Sequence, residues 1–207
     1  EKAFFSRRAR GPACRRKESH RMSGSSPQRD VTVLMNAERM AEAIRRMAQE
    51  IVEGCPSLET AAFLGILTRG RPLADRLAAH VAEMTGTRPP VGSLATTFYR
   101  DDLRSGRLAA NIAPAETQFD FDVNGRHIIL VDDVIAAGRT ARAALDEVMD
   151  YGRPARIQLA CLIDRPVREL PIQPDYTGWT APPDGDAQVQ VRMAEIAGED
   201  GVDAGAA

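Results

Sequence analysis

Two adjacent carboxylates, Asp132 and Asp133, directly follow a run of four branched apolar residues. A turn of small residues comes next, and Arg139 and Thr140 then open an amphipathic helical pattern. An unbroken apolar run is typical of a strand buried on both faces of a parallel sheet. The turn after such a strand lies at the edge where open α/β sheets bind ligands. We therefore predict a binding site at the end of a central strand.

The residue types in this segment favour a phosphorylated sugar as the ligand. The small residues Ala136, Ala137 and Gly138 let backbone N–H groups approach a phosphate closely. The start of the following helix adds a favourable dipole. Carboxylates beside the phosphate can accept hydrogen bonds from ribose hydroxyls or hold Mg²⁺, which prefers oxygen ligands. The sequence therefore predicts a ribose-phosphate cradle over residues 132–140.

Two other interpretations of the acid pair were weighed. Phosphoacceptor receiver domains also carry adjacent acids after a strand, and an apolar strand can simply end in solvated acids. A receiver domain has its acid pair on the first strand, near the start of the domain. Here two strand–helix units are predicted ahead of Asp132, and this order favours the cradle.

A second candidate anion loop lies one strand–helix unit earlier in the chain. Residues 60–67 are apolar enough for a buried strand, and Thr68, Arg69 and Gly70 follow it at the start of a predicted helix. Exposed N–H groups, a flexible glycine and an arginine able to bind phosphate through two donors suit such a loop to anions. An Arg-Gly turn alone is weak evidence for an anion site, because such turns are common. The position of this loop one strand–helix unit before the acid pair is what favours an anion site here.

The rest of the chain alternates between helical and strand patterns. We predict helices over residues 36–54, 72–86 and 141–151, and further strands over residues 91–99, 119–123, 157–163 and 188–196. Residues 102 to about 119 show no strong period, which is typical of a lid or binding loop beside a site. This order of elements indicates an α/β fold with a mostly parallel sheet.

The length of 207 residues suits one domain of ordinary size with terminal extensions. We expect a disordered basic tail over residues 1–30, one domain over residues 31–197, and a frayed acidic, small-residue tail over residues 198–207. Contact with RNA is the alternative role for the basic cluster of the first tail, which is otherwise expected to be solvated and disordered.

Composition narrows the classes of partner. A formal net charge of −2 gives no overall attraction for nucleic acid, so RNA binding needs a local basic patch. No apolar run approaches the roughly 20 residues that span a bilayer, so no membrane contact is expected. Three cysteines without CxxC spacing favour a reducing, cytoplasmic compartment.

Four segments carry a resemblance to a known family. They are VDDVIAAGRT (131–140), GILTRG (65–70), TFYRDDL (97–103) and GRPARIQLACLIDRPVRELPIQPDY (152–176). With them the chain resembles the type I phosphoribosyltransferases from about residue 31 to about residue 196. The RELPI and YRDDL segments point within that superfamily to the bifunctional pyrimidine operon attenuation protein / uracil phosphoribosyltransferase (PyrR) family. The resemblance implies the type I phosphoribosyltransferase fold, in which a small hood accompanies the main sheet.

The resemblance also implies an activity, a cofactor and a set of site residues. The activity is that of a uracil phosphoribosyltransferase, which forms UMP and pyrophosphate from uracil and phosphoribosyl pyrophosphate with Mg²⁺. The implied contacts are Asp132 and Asp133 with the ribose hydroxyls, directly or through the metal; Ala136, Ala137, Gly138, Arg139 and Thr140 with the 5′-phosphate; Thr68, Arg69 and Gly70 with pyrophosphate; Arg100 closing over the leaving pyrophosphate; and Ile163 and Asp164 with the base.

A second activity is implied by the same family: UMP-responsive binding to the leader of pyrimidine mRNA, which promotes transcription termination. Of the basic residues typical of that activity, Arg46 and Arg168 are present. Gln49, Pro166 and Gln173 stand where histidine, glycine and basic residues are usual. Because phosphate contacts dominate RNA affinity, we expect these departures to weaken RNA binding.

Two alternatives to the enzyme stay open. One is an RNA-binding regulator without turnover, which uses the nucleotide site only to sense UMP. The other is a phosphoribosyltransferase for another base, because base choice depends on the geometry of the hood. For all three, the resemblance implies a homo-oligomer.

Overall fold

Helices and strands alternate along the chain in a computed structural model, which describes residues 31–96, 116–182 and 188–205. The elements are β1 (Val31–Met35), α1 (Ala37–Gly54), β2 (Ala61–Ile66), α2 (Gly70–Thr85), β3 (Val91–Leu94), β4 (His127–Ile135), α3 (Arg139–Tyr151), β5 (Arg156–Asp164), β6 (Tyr176–Thr180), β7 (Gln188–Arg192), α4 (Ala194–Ala197) and β8 (Gly201–Gly205). The predicted basic tail and Arg100 lie outside the described residues.

The main sheet has five parallel strands in the order β3-β2-β4-β5-β6. The strand that carries the acid pair, β4, is therefore central, with β2 on one side and β5 on the other. In the β4–β5 register, Asp132 lies beside Cys161 and Ile135 beside Asp164. The α/β class and the parallel sheet expected from the sequence are confirmed.

The unbroken apolar runs of the strands are explained by two helical layers. Phe63 of β2 and Val131 of β4 pack in one core with buried residues of α1 and α2. Leu64 of β2 and Leu130 of β4 face the opposite side and pack with Ala144 of α3. Successive residues of one strand thus enter different cores, so both faces of the sheet require apolar side chains.

Capping residues mark the start of α1 and the end of α2, whereas α2 starts at Gly70 rather than at the predicted residue 72. Asn36 precedes α1, and its side-chain oxygen accepts a hydrogen bond from the backbone N–H of Arg39 at 3.0 Å. Gly86 ends α2 with a φ of 76°, a left-handed conformation that costs glycine little.

A second sheet of three antiparallel strands, in the order β1-β8-β7, forms the hood. Val191 of β7 and Val202 of β8 are almost fully buried and belong to the same core as α1 and α2. The predicted frayed tail is wrong for residues 201–205, since β8 pairs with both of its neighbours. The small and acidic residues of this strand have low strand propensity, so the strand was not recognised in the sequence. Hydrogen bonding to a neighbouring strand on each edge stabilises it instead.

Other strand predictions also need correction. The strand predicted over residues 188–196 ends at Arg192, and the short helix α4 follows. Residues 119–123 form no strand; a single bridge joins Ser93 to Gln118. The aromatic alternation there reflects packing, since the ring of Phe119 lies 5.1 Å from that of Phe121 and 4.9 Å from that of Tyr151. The edge strand β6 was not predicted from the sequence.

Within the described parts of the chain, no helix is both long and apolar enough to cross a membrane.

Candidate active site

The acid pair lies near the carboxyl end of β4, at the edge of the main sheet. Asp132 is only 7% exposed, and its Oδ1 accepts a hydrogen bond from the backbone N–H of Asp133 at 2.9 Å. Burial, followed by the negative charges of Asp132 and Asp133, raises the pKa of the neighbouring Cys161 thiol. The Cys161 thiol, which lies beside the acid pair, therefore stays protonated.

The predicted pyrophosphate loop follows β2 and packs directly against β4. Arg69 Nη1 lies 3.6 Å from Asp133 Oδ2, so a guanidinium stands beside the acid pair. A Cβ at Gly70 would lie 2.3 Å from the carbonyl oxygen of Val131, and one at Gly65 would lie 2.5 Å from the carbonyl oxygen of Gly70. Only glycine permits so close an approach of the two backbones, and this brings Arg69 to Asp133.

The predicted phosphate turn links β4 to α3, as the sequence indicated. Gly138 has a φ of 91° and immediately precedes the first helical residue, Arg139. The carbonyl oxygen of Ala137 accepts hydrogen bonds from the backbone N–H groups of Glu169 and Leu170, both at 3.0 Å. A turn before a helix N-terminus is suited to bind an anion, since backbone N–H groups and the helix dipole act together.

The end of β5 supplies a third part of the site. Ile163 is fully buried, and the side chain of Asp164 is 14% exposed. Asp164 Oδ1 accepts a hydrogen bond from Arg168 Nη2 at 2.5 Å. The same guanidinium donates through Nη1 to the carbonyl oxygen of Ala136 at 2.8 Å. This role of Arg168 was not predicted from the sequence, although the residue belongs to the RELPI segment.

The sheet therefore brings most of the predicted site residues to one edge. They lie after β2 (Thr68, Arg69 and Gly70), at the end of β4 and the start of α3 (Asp132, Asp133, Ala136, Ala137, Gly138, Arg139 and Thr140), and at the end of β5 (Ile163 and Asp164). Arg46 lies elsewhere, on α1, where its Nη2 donates to the carbonyl oxygens of Thr177 and Gly178 in β6.

The chain is similar to known proteins over most of its length. Residues 30–194 match the family described as phosphoribosyl transferase domain. The chain is 49% identical over 170 residues to the bifunctional protein PyrR of Thermus aquaticus. The alignment covers 82% of this chain and 93% of that relative. It is 46% identical over 175 residues to the bifunctional protein PyrR of Picosynechococcus sp., covering 84% of this chain and 97% of that one.

A solved structure supports the fold. A hypoxanthine-guanine phosphoribosyltransferase from Bacillus anthracis aligns with a TM-score of 0.58 over 85% of this chain and 98% of its own, at 18% identity. At that identity the likeness concerns the fold alone. The family match and the two PyrR relatives carry the assignment further: the chain belongs to the phosphoribosyltransferase domain family and, within it, to the PyrR family.

Proposed function

We propose that this protein is a uracil phosphoribosyltransferase, which converts uracil and phosphoribosyl pyrophosphate into UMP and pyrophosphate. The observation that carries the proposal is the meeting of three predicted segments at one sheet edge, with Arg69 Nη1 3.6 Å from Asp133 Oδ2. Membership of the PyrR family supports the same activity.

In this proposal each segment holds one part of the substrate. Asp132 and Asp133 accept hydrogen bonds from the ribose hydroxyls. The backbone of residues 136–140 and the hydroxyl of Thr140 hold the 5′-phosphate, which benefits from the N-terminus of α3. Ile163 and Asp164, at the end of β5, contact uracil.

Departure of pyrophosphate is the step that requires electrostatic stabilisation. Displacement at the anomeric carbon passes through a cation-like sugar while negative charge builds on the leaving group. Thr68, Arg69 and Gly70 bind that group, and the Arg69 guanidinium neutralises part of its developing charge. Arg100, outside the described residues, is proposed to close over the pyrophosphate and exclude water.

The acid pair fits a magnesium ion that is shared with the substrate. Among the described residues, no group of three or more histidine, cysteine, aspartate or glutamate side chains is arranged to hold a metal by itself. Mg²⁺ is usually bound through one or two carboxylates together with substrate phosphates, and Asp132 and Asp133 provide two adjacent carboxylates. When bound with phosphoribosyl pyrophosphate, the ion would neutralise charge on the leaving group.

We propose a second, regulatory activity in the same protein: UMP-responsive binding to a pyrimidine mRNA leader. The relatives bear the name bifunctional protein, which supports two activities in one chain. The side chain of Arg46 is 55% exposed beside β6, and we propose that it contacts an RNA phosphate. A cytoplasmic location and a homo-oligomeric state belong to this proposal as well.

The test is a direct assay of UMP formation from uracil and phosphoribosyl pyrophosphate, with and without added Mg²⁺. Uracil-dependent, Mg²⁺-dependent production of UMP is the expected result. A parallel panel containing cytosine, hypoxanthine and guanine separates a uracil enzyme from one that acts on another base. Binding of a pyrimidine leader RNA that requires UMP, in a protein without turnover on any base, would instead identify a nucleotide-sensing regulator.

A further inference from the structure

The guanidinium of Arg168 connects the ends of two neighbouring strands. Its Nη2 donates to Asp164 Oδ1 at 2.5 Å, at the end of β5, and its Nη1 donates to the Ala136 carbonyl oxygen at 2.8 Å, just beyond β4. It also donates to the carbonyl oxygens of Arg165 and Ile172, at 2.6 and 2.8 Å. Only 12% of its side chain is exposed. The donors of this arginine therefore point into the protein.

The hydrogen bonds to the phosphate turn fix the direction of its peptide groups. The carbonyl oxygen of Ala136 is held by Arg168, and that of Ala137 is held by the N–H groups of Glu169 and Leu170. In a trans peptide the carbonyl and the next N–H point in opposite directions. The N–H groups of Ala137 and Gly138 therefore point away from residues 165–172, on the side where an anion can accept from them.

The same guanidinium also changes the charge of the site. Arg168 Nη2 lies 2.5 Å from Asp164 Oδ1, so its positive charge offsets that carboxylate at the end of β5. Asp164 is largely buried, so without its partner it would remain as an uncompensated carboxylate beside the phosphate turn. Such a charge would repel a phosphorylated ligand.

We propose that Arg168 is a positioning residue for the 5′-phosphate cradle. It turns the carbonyl of Ala136 away from the ligand and neutralises Asp164, so that the cradle presents N–H donors to the phosphate. The inference rests on the proposed function and gives Arg168 a role in nucleotide binding rather than in direct contact with RNA.

The experiment compares the binding of two ligands by calorimetry. UMP probes the 5′-phosphate cradle, and pyrophosphate probes the separate loop after β2. Arg168→Ala is expected to raise the Kd for UMP about tenfold, the factor that corresponds to 1.4 kcal/mol, with the Kd for pyrophosphate unchanged. Arg168→Lys should fall between Arg168→Ala and wild type, because an ammonium restores the charge but not the planar set of donors.

Arg142→Ala is the matched control, since Arg142 is an exposed arginine on α3 that pairs only loosely with Asp146, at 3.5 Å. It should bind both ligands as the wild type does. Thermal unfolding of each variant verifies that it is folded. If Arg168→Ala does not fold, Arg168→Lys decides: weaker UMP binding with unchanged pyrophosphate binding supports the role, and wild-type UMP binding refutes it.

Other outcomes overturn the inference without affecting the proposed function. They are wild-type UMP affinity in folded Arg168→Ala, equal weakening of UMP and pyrophosphate, and loss of leader RNA binding with unchanged UMP affinity. A wild-type protein that makes no UMP from uracil refutes the proposed function instead. UMP binding can still be measured in that case, so the two failures are distinguishable.

Discussion

Arg69 and Asp133 meet across the junction of β2 and β4, with 3.6 Å between Nη1 and Oδ2. The arginine belongs to the loop proposed to bind pyrophosphate, and the aspartate belongs to the pair proposed to bind ribose. The two side chains are 35% and 17% exposed, so both remain accessible to a ligand. In the proposed site, a cation and an anion are thus held side by side between the pyrophosphate loop and the ribose contacts.

Replacement of Arg69 should chiefly affect pyrophosphate. In Arg69→Ala we expect kcat/KM for phosphoribosyl pyrophosphate to fall on the order of 100-fold, because a preorganised positive group no longer stabilises the leaving charge. The Kd for pyrophosphate should rise while that for UMP stays near wild type. Steady-state kinetics and calorimetry measure these quantities. Unchanged kinetics would remove Arg69 from the site, and Arg142→Ala provides the control for loss of an exposed arginine.

Replacement of Asp133 should abolish most turnover while preserving the fold. Asp133→Asn keeps the side-chain size but removes a charge from the ribose or metal contacts, so we expect kcat/KM to fall about 100-fold or more. The free energy of unfolding should change by less than about 1 kcal/mol, since a partly exposed ion pair contributes little. Full activity would contradict the proposed site. Asp146→Asn, which alters an exposed carboxylate on α3, should retain activity.

The main sheet and the strand–turn–helix segment that follows the acid pair's strand were predictable from the sequence because local pattern and tertiary position agree there. Residues 127–140 contain a buried strand, a small-residue turn and a helix start, and all three occur as expected. The close packing of Gly70 on Val131 was not predictable, because a contact between two backbones leaves no periodic signal.

The hood was harder to predict than the main sheet. Strand β8 is short and has a single strand-favouring residue, Val202, among glycine, alanine and aspartate, yet it pairs on both edges with β1 and β7. Its order depends on contacts between distant parts of the chain, which override the low strand propensity of its residues. The inward direction of Arg168 was equally hidden, since composition cannot distinguish a buried arginine from one that contacts RNA.

Gly70 offers a test of the contact between the pyrophosphate loop and β4. In Gly70→Ala the new Cβ would lie 2.3 Å from the carbonyl oxygen of Val131, so one backbone must shift. We expect a loss of about 1–3 kcal/mol in the free energy of unfolding, the usual cost of overpacking, together with weaker pyrophosphate binding. Urea unfolding and calorimetry measure the two effects.

The control for that substitution is Gly205→Ala, because nothing lies within 4 Å of a Cβ at Gly205. Its free energy of unfolding should stay within about 0.5 kcal/mol of wild type. Equal stability of Gly70→Ala and Gly205→Ala would show that the close approach is not maintained in solution.

The hood is joined to α2 by Arg76, and this connection should make stability depend on pH. Arg76 Nη1 donates to Asp200 Oδ2 at 2.8 Å, and Nη2 and Nε donate to the Glu195 carboxylate at 2.7 and 2.8 Å. The hydrogen bond from Arg76 lowers the pKa of Asp200 below its usual 3.8 and that of Glu195 below its usual 4.5. Glu195 is half exposed, so solvent screening leaves Asp200 as the main contributor.

The sign of the pH effect follows from the lowered pKa of Asp200. Its ionised form is favoured in the folded state, so its contribution is complete above pH 3.8 and is lost as the pH falls toward the lower folded pKa. At about pH 7, Arg76→Met should lose roughly 2 kcal/mol of stability, as expected for hydrogen bonds to a charged group. At about pH 3 the difference between variant and wild type should be smaller. Urea unfolding at both pH values measures it, with Arg142→Met as the exposed control, and a difference that does not depend on pH would contradict the assignment.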